Sequence, residues 1–134
     1  MSADDTRKTA IVTGAAGGIG RVLVSAALEA GYRVSLLDRD SDGLDRVSVA
    51  ATDPNQRDCV FSCATDVAKE EDCVSAVRDV AARFGNIDAL VNAAGIGMVV
   101  IRDSHMIEPV RFDEVSSDQW DHFFAVNTKG PFLM

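Results

Sequence analysis

A glycine-rich run near the start of the chain carries the first residues whose types and spacing could do chemistry. Residues 13–20 read Thr-Gly-Ala-Ala-Gly-Gly-Ile-Gly, between a short apolar run and a stretch with helical spacing of apolar residues. Gly14 permits a tight turn, absent Cβ atoms let a pyrophosphate approach the backbone, and Gly20 permits close packing of the helix. Free N–H groups at the helix start would then receive the anion. The pattern predicts a dinucleotide phosphate site formed by Gly14, Ala16, Gly17, Gly18, Ile19 and Gly20.

Other interpretations of this loop are less favoured. The spacing is Gly-x-x-x-Gly-x-Gly and not the commoner Gly-x-Gly-x-x-Gly fingerprint, so a tight turn without a ligand is the plain alternative. No Gly-Lys-Ser/Thr sequence follows the last glycine, which excludes the P-loop of a kinase or GTPase. The flanking strand and helix favour phosphate binding, because that mechanism requires both elements.

An acidic residue supplies the second chemical signal. Asp38 lies 24 positions beyond Gly14, close to the interval of about 20 residues expected for the acid that holds an adenosine ribose. Its carboxylate would accept the hydroxyl hydrogens of NAD and repel the 2′-phosphate of NADP, so NAD is the predicted cofactor. Arg39 could instead hold that phosphate, which keeps NADP as the less favoured alternative. A solvated aspartate without a ligand is the third interpretation.

Alternating strands and helices must position these residues. Apolar runs predict strands over 9–13, 33–38, 59–63 and 87–92. Helical spacing predicts helices over 19–30, 41–50, 69–84 and from Ser116 or Ser117 to the chain end. Residues 1–8 are expected to be a loose lead-in, 53–55 a turn and 96–116 irregular, while Gly31 is expected to end the first helix. The order predicts one α/β domain over residues 1–134 with a doubly wound parallel sheet.

The composition describes an acidic protein of one domain. Its 134 residues fit a single domain, and 47% hydrophobic residues are enough to build a core. Acidic residues outnumber basic ones 21 to 13, which disfavours nucleic acids and anionic membranes as partners. The three cysteines, together with His105 and His122, lack metal-ligand spacing, so no metal site is predicted. Without a secretion signal or a membrane-length apolar stretch, the expected location is cytoplasmic.

Four separated motifs together resemble the short-chain dehydrogenase/reductase family. Residues 13–20 resemble its cofactor loop, and Asp66-Val67 resembles its Asp-Val pair. Residues 90–95, Leu-Val-Asn-Ala-Ala-Gly, are similar to its Asn-Asn-Ala-Gly strand end, and Val126-Asn127 is similar to the helix with its catalytic asparagine. The resemblance covers residues 8–134. It implies a Rossmann-type sheet in strand order 3-2-1-4 and an NAD(P)-dependent oxidoreductase that interconverts an alcohol and a carbonyl compound.

The resemblance assigns the adenine and the nicotinamide ribose to two of these motifs. It implies that the Asp66 carboxylate, beside Val67, meets the adenine amino group, and a helix N-cap is the alternative role for Asp66. It also implies that the cofactor's central region is flanked by Asn92, Ala93, Ala94 and Gly95. Small residues for close packing are the alternative there. Ala93 stands where the family usually has a second asparagine, which by resemblance weakens one structural hydrogen bond.

Two further expectations concern the positioning of catalytic groups. By resemblance, the main-chain carbonyl of Asn127 lies at a local helix distortion and holds a water molecule of a proton relay, and a solvent-facing asparagine is the alternative. Thr13 is expected to steady the glycine turn through its hydroxyl group and not to touch the cofactor. Residues 96–116 look several residues longer than in the family, so no substrate contact is carried over to them.

The family's serine and its Tyr-x-x-x-Lys pair do not follow Asn127, and the chain's one tyrosine is Tyr32. We therefore expect these 134 residues to be the cofactor half of an enzyme about twice this size by resemblance, and to be inactive alone. The fourth strand would lie at a sheet edge although its sequence is apolar. A non-catalytic NAD-binding or regulatory module and an association scaffold are the alternative functions. The resemblance implies a homodimer or homotetramer joined by the last helix.

Overall fold

Four short apolar segments form one parallel sheet in the computed structural model, which describes residues 7–51 and 54–134. The sheet has the order β3-β2-β1-β4, as predicted. Thr13 lies beside Leu37 of β2 and Asn92 of β4, so the carboxyl ends of these strands meet at one edge. The strands are β1 (Thr9–Thr13), β2 (Arg33–Asp38), β3 (Val60–Ala64) and β4 (Ala89–Asn92).

Helices connect the parallel strands, because a parallel pairing needs a long crossover. Gly31 follows the first helix with φ of 85°, the left-handed conformation expected for a residue that ends a helix. Short 3₁₀ turns cover Pro54–Cys59, Met98–Val100 and Phe112–Glu114, and a π-helical turn covers Ala125–Lys129. The α-helices are α1 (Gly18–Glu29), α2 (Ser41–Ala51), α3 (Glu70–Phe84), α4 (Ser117–Phe124) and α5 (Gly130–Leu133).

The two central strands are apolar on both faces, because helices cover the sheet from both sides. One face of the sheet packs on α1 and α2, through Val12, Leu36, Val24, Leu28 and Leu44. The other face packs on α3, through Ile11, Leu37, Ala76, Val80 and Phe84. Adjacent residues of one strand therefore enter different cores, which explains the continuous apolar runs in the sequence.

The fourth strand lies at the sheet edge, as its place in the order predicts. Leu90 remains 39% exposed there, whereas Leu36 of β2 is fully buried. The helix that ends the chain is similarly uncovered, since Trp120 is 49% and Phe132 is 84% exposed. Among the described residues, no helix has the length and apolar content that crossing a membrane requires.

Several predicted boundaries differ from the structure. The third strand begins at Val60, because Cys59 ends a 3₁₀ turn. The fourth begins at Ala89. The preceding residue, Asp88, accepts a hydrogen bond on its carboxylate from the Thr9 N–H at 2.7 Å. The last helix is interrupted by the π-helical turn and is not regular to the chain end. Of the predicted lead-in and turn, residues 1–6 and 53 lie outside the described residues, and Pro54 begins a 3₁₀ turn.

The segment over residues 96–116 is more ordered than predicted. Arg102 is central to it: its guanidinium donates to the Glu114 carboxylate at 3.0 Å. The same side chain donates to the carbonyl oxygens of Glu108 at 3.2 Å and Pro109 at 3.3 Å. One arginine thereby links the middle of the segment to its end.

Candidate functional site

A cleft lies at the carboxyl edge of the sheet, next to the ends of β1 and β4. The strand order reverses between these two strands, because β2 and β3 lie on one side of β1 and β4 lies on the other. In open α/β sheets, ligands bind outside the carboxyl ends of the strands at this point of reversal. The cleft is lined by Gly14, Gly17, Asp38, Arg39, Thr65, Asp66, Val67, Ala93, Ala94, Gly95, Ile96 and Val126. Most of the predicted cofactor-binding residues therefore meet in one place.

The glycine loop forms one wall of the cleft and has its shape for two reasons. Gly14 has φ of 64°, and a Cβ atom on it would lie 2.7 Å from the Cα of Ala94. The Gly17 N–H donates to the Gly14 carbonyl at 3.0 Å and closes the turn. A Cβ atom on Gly20 would collide with that same carbonyl oxygen. The close packing predicted at Gly20 is thus present, and it joins the helix to the loop itself.

The first turn of α1 offers unpaired donors beside this loop. Gly17 is the N-cap and supplies no side-chain acceptor, so the first N–H groups have no partner within the helix. A Cβ atom on Gly18 would meet no heavy atom within 4 Å, so protein packing does not require glycine there. Ile19 is 74% exposed. The helix start therefore has both the space and the donors to receive an anion.

Main-chain amides fix the carboxylate of Asp38 at the end of β2. Its Oδ2 accepts from the Ala16 N–H at 3.1 Å, and its Oδ1 accepts from the Asp40 N–H at 3.0 Å. A carboxylate has about four acceptor positions, so two remain for hydroxyl groups of a ligand. Arg39 also lines the cleft and is exposed.

The Asp66-Val67 pair lines the cleft beyond the end of β3. Asp66 is not the N-cap of α3, because Lys69 occupies that position. Its Oδ1 instead accepts from the Ala68 N–H at 3.0 Å, and its own N–H donates to the Asp72 carboxylate at 3.0 Å. The helix-cap interpretation of Asp66 is therefore wrong. Val67 is buried, in a cluster with Val126.

Thr13 connects the ends of β1 and β4 across the cleft floor. Its hydroxyl oxygen accepts from the N–H groups of Ala93 and Ala94, both at 3.1 Å, and its hydroxyl group lies 3.4 Å from the Val91 carbonyl. The expectation that Thr13 steadies the glycine turn is wrong, since its hydrogen bonds reach the β4 strand end instead. The side chain is buried beneath the cleft and does not line it.

Asn127 lies in the π-helical turn, which is the helix distortion that the family resemblance implied. Its Oδ1 accepts from the Ile96 N–H at 2.8 Å, and its Nδ2 donates to the Ile96 carbonyl at 2.9 Å. Asn127 is exposed, as the alternative of a solvent-facing asparagine expected, but its side chain is also hydrogen-bonded to the backbone of Ile96. The bonds hold the backbone immediately after the β4 strand end, and π-turns of this kind are frequent at functional sites.

Some predicted residues lie beside the cleft and not in its lining: Ala16, Gly18, Ile19, Gly20, Asn92 and Asn127. Three lining residues were missing from the predicted site, namely Thr65, Ile96 and Val126. Thr65 directly follows β3, and Ile96 directly follows the motif at the end of β4. Both could have been predicted as lining residues, because the carboxyl ends of parallel strands share one edge. Within the described part of the chain, no group of three metal-ligating side chains is present.

The comparisons with known proteins agree with this geometry. Residues 8–134 match the sequence model of the short chain dehydrogenase family. The chain belongs to the short-chain dehydrogenase family.

Individual relatives are similar over nearly the whole of this chain. D-Threitol dehydrogenase of Mycolicibacterium smegmatis is 36% identical over 127 residues, which are 95% of this chain and 44% of that protein. The short chain dehydrogenase/reductase dpmpG of Macrophomina phaseolina is 31% identical over 139 residues, which are 99% of this chain and 74% of that protein. The chain thus spans less than half the length of the first relative.

A solved structure with a nucleotide is also similar. The 3-ketoacyl-(acyl-carrier-protein) reductase from Brucella melitensis, complexed with NADH, is 32% identical and superimposes with a TM-score of 0.81. The alignment covers 95% of this chain and 47% of the reductase. This likeness extends the family assignment to the three-dimensional fold.

Proposed function

We propose that this chain binds NAD and forms the cofactor half of an oxidoreductase that interconverts an alcohol and a ketone or aldehyde. One observation carries the proposal: the glycine loop and the fixed Asp38 carboxylate border the same cleft at the carboxyl edge of the sheet. The complex of the Brucella melitensis reductase with NADH supports a nicotinamide cofactor. The relatives are named as dehydrogenases and reductases, which favours an enzyme over an NAD-sensing module.

Each part of the cofactor has a complementary surface in the proposal. The pyrophosphate meets the first-turn N–H groups of α1, and the adenosine ribose donates hydroxyl hydrogens to Asp38. Asp66 and Val67 contact the adenine. The nicotinamide ribose lies near Asn92, Ala93, Ala94 and Gly95, whose small side chains leave room for it. The bound cofactor supplies the hydride acceptor or donor, and Asn127 holds the backbone of Ile96 that continues this wall.

The preference for NAD over NADP follows from charge. A 2′-phosphate would lie against the Asp38 carboxylate, and like charges at this range repel. Residues 14–20 contain no lysine or arginine to offset that repulsion. Arg39 is available to a phosphate, whereas the nearby Arg46 already lies 3.5 Å from the Asp40 carboxylate. NADP remains the less favoured cofactor.

By the family resemblance the proton donor is a tyrosine, and no tyrosine lines the cleft among the described residues. Tyr32, the chain's one tyrosine, immediately precedes β2 and so lies at the amino edge of the sheet, opposite the cleft. It packs against the core formed with α1 and α2. A general acid must reach the reacting oxygen, so Tyr32 cannot serve. We propose that residues 1–134 alone oxidise no alcohol.

The proposed assembly is a cytoplasmic homodimer or homotetramer. Trp120 and Phe124 of α4 stack with ring centroids 4.8 Å apart, and both are about half exposed. Aromatic side chains of this kind are enriched at protein interfaces. The three cysteines are free thiols in the structure, which is compatible with a reducing compartment.

Calorimetric titration of the intact protein with NAD and with NADP tests the cofactor proposal. We expect tighter binding of NAD, and we expect Asp38→Asn to reduce the preference about tenfold, since it removes the repelling charge. Asp42→Asn is the matched control, because Asp42 is an exposed acid of α2 that does not line the cleft. Tighter binding of NADP by the unmodified protein would contradict the role given to Asp38.

A further inference from the structure

The start of α2 lies unusually close to the glycine loop, and Gly43 is the residue that permits it. A Cβ atom on Gly43 would lie 2.7 Å from the Cβ of Ala16 and would collide with the Asp40 carboxylate. Its φ is not in the left-handed region, so glycine is required here for space and not for backbone conformation. Glycine inside a helix costs about 1 kcal/mol relative to alanine. The close approach of α2 to the loop therefore requires a residue that lowers the stability of the helix.

Hydrogen bonds connect this contact to the predicted ribose site. The Gly43 N–H donates to the Asp40 Oδ1 at 2.9 Å, which caps the first turn of α2. The Asp40 N–H in turn donates to the Asp38 Oδ1 at 3.0 Å. The other oxygen of Asp38 accepts from the Ala16 N–H at 3.1 Å. Both donors to Asp38 thus belong to the two segments that meet at Gly43.

We propose that Gly43 is a positioning residue that sets how the cleft distinguishes a ribose 2′-hydroxyl group from a 2′-phosphate. The inference rests on the proposed function, because it takes the ligand of Asp38 to be an adenosine ribose. Gly43 touches no part of that ligand. It fixes the distance between the loop and α2, and that distance fixes the two amides that orient the Asp38 carboxylate.

A nearby cation strengthens the effect of any displacement. The Arg46 guanidinium lies 3.5 Å from the Oδ2 of Asp40, the same oxygen that a Cβ atom on Gly43 would strike. A side chain at position 43 would move the Asp40 carboxylate, release Arg46 from its partner and loosen Asp38 together. Arg46 lines a neighbouring hollow with Ala16 and Gly43 and not the cleft, so a released guanidinium attracts a phosphate only at longer range. A loosened Asp38 holds the ribose hydroxyl groups of NAD less well. Both changes favour NADP over NAD.

The test uses Gly43→Ala in the intact protein, with calorimetric titration of three ligands: NAD, NADP and an NAD analogue whose adenosine ribose lacks the 2′-hydroxyl group. We expect NAD to bind about tenfold more weakly, a change of the size of one charge-assisted hydrogen bond. The analogue should lose at most about threefold, because it lacks the hydroxyl group that Asp38 recognises. The affinity ratio of NAD to NADP should fall about tenfold or more.

The matched control is Gly97→Ala, since a Cβ atom on Gly97 meets nothing within 4 Å and its φ is −118°. This variant should leave all three affinities unchanged. If Gly43→Ala does not fold, Asp40→Ala replaces it, because this change also removes the cap of α2 and the partner of Arg46. Equal losses for NAD and the analogue, or no loss for either, overturn the inference. Failure of the unmodified protein to bind NAD would instead overturn the proposed function.

Discussion

Residues 9–84 and residues 89–134 bury their apolar side chains to very different extents. In the first region, β1 is buried throughout and β2 is buried except at Asp38. In the second region, β4 alternates between half-buried and exposed residues, and no residue of α4 is buried. The first region can therefore hold the glycine loop and Asp38 in place by its own packing. The second region carries Asn127, but its apolar faces lack a cover among the described residues.

The comparison shows which part of the cleft is preorganised by the sheet alone. The proposed site of the adenosine ribose, at Asp38, rests on β1 and β2, which have helices on both faces, and such packing fixes positions tightly. The proposed site of the nicotinamide ribose, at the end of β4, rests on an edge strand whose unpaired groups favour further strand pairing or association. We expect substitutions in the two regions to differ in their effect on stability accordingly.

The largest difference is expected between a leucine of the central strand β2 and a leucine of the edge strand β4. Leu36→Ala should lower the free energy of unfolding by about 3 kcal/mol, because it leaves a cavity in a closed core. Leu90→Ala should lower it by about 1 kcal/mol or less, since Leu90 is 39% exposed. Urea unfolding of the intact protein measures both values. Equal losses would mean that the edge strand is covered and that the contrast between the regions is wrong.

A smaller effect is expected from the link between the two regions. Thr13→Val removes the acceptor of the Ala93 and Ala94 N–H groups and should cost about 2 kcal/mol. Thr9→Val is the control on the same strand: the Thr9 hydroxyl is equally buried, and it has no hydrogen-bond partner within the described part of the chain. This control should be neutral or stabilising in the same unfolding experiment. A Thr9→Val loss as large as that of Thr13→Val would show that the hydroxyl bonds do not join the regions.

The smallest effect concerns the thiol of Cys73, which belongs to the first region and packs in one cluster with Val126 of the second. Burial, followed by the negative charges of Asp72 and Asp66, raises the pKa of the Cys73 thiol above its ordinary value of 9.0. The thiolate is the reactive form, so Cys73 should alkylate much more slowly than the half-buried Cys63 at about pH 8.5. Because the folded state favours the neutral thiol, its contribution to stability is present below the ordinary pKa and declines as the pH rises through the raised one. Mass spectrometry after iodoacetamide treatment at several pH values measures the rates, and a faster Cys73 would contradict this account.

Most of the fold could be predicted from the sequence, because its signals are local and agree with one another. The continuous apolar runs at 9–13 and 33–38 predicted strands buried on both faces, and the helical spacing between them predicted the crossover. The exact strand starts could not be predicted in this way. The third strand begins at Val60 because a 3₁₀ turn extends to Cys59. The fourth begins at Ala89, after Asp88, whose carboxylate is hydrogen-bonded to the distant Thr9.

Site residues were predictable where their role depends on neighbouring residues in the sequence. They were not predictable where the role depends on a hydrogen-bond partner or contact far away in the sequence. The conformation of Gly14 follows from its turn, and Asp38 follows from its place at a strand end. The hydrogen bonds of Thr13 span 80 and 81 positions of the sequence, so the residue's own surroundings could not reveal them. The same holds for Gly43, because its close contact with Ala16 joins two segments that are distant in the sequence.

The two hydrogen bonds between Asn127 and Ile96 join positions 31 apart and close a ring of chain that contains residues 97–126. The entropy of closing such a ring grows only with the logarithm of its length, so adding a few residues to it costs little. Because the ring is sealed at its base, its interior can be lengthened, shortened or exchanged while the cleft keeps its shape. Asn127 thereby anchors the Ile96 backbone at the cleft independently of the length of the segment that follows it.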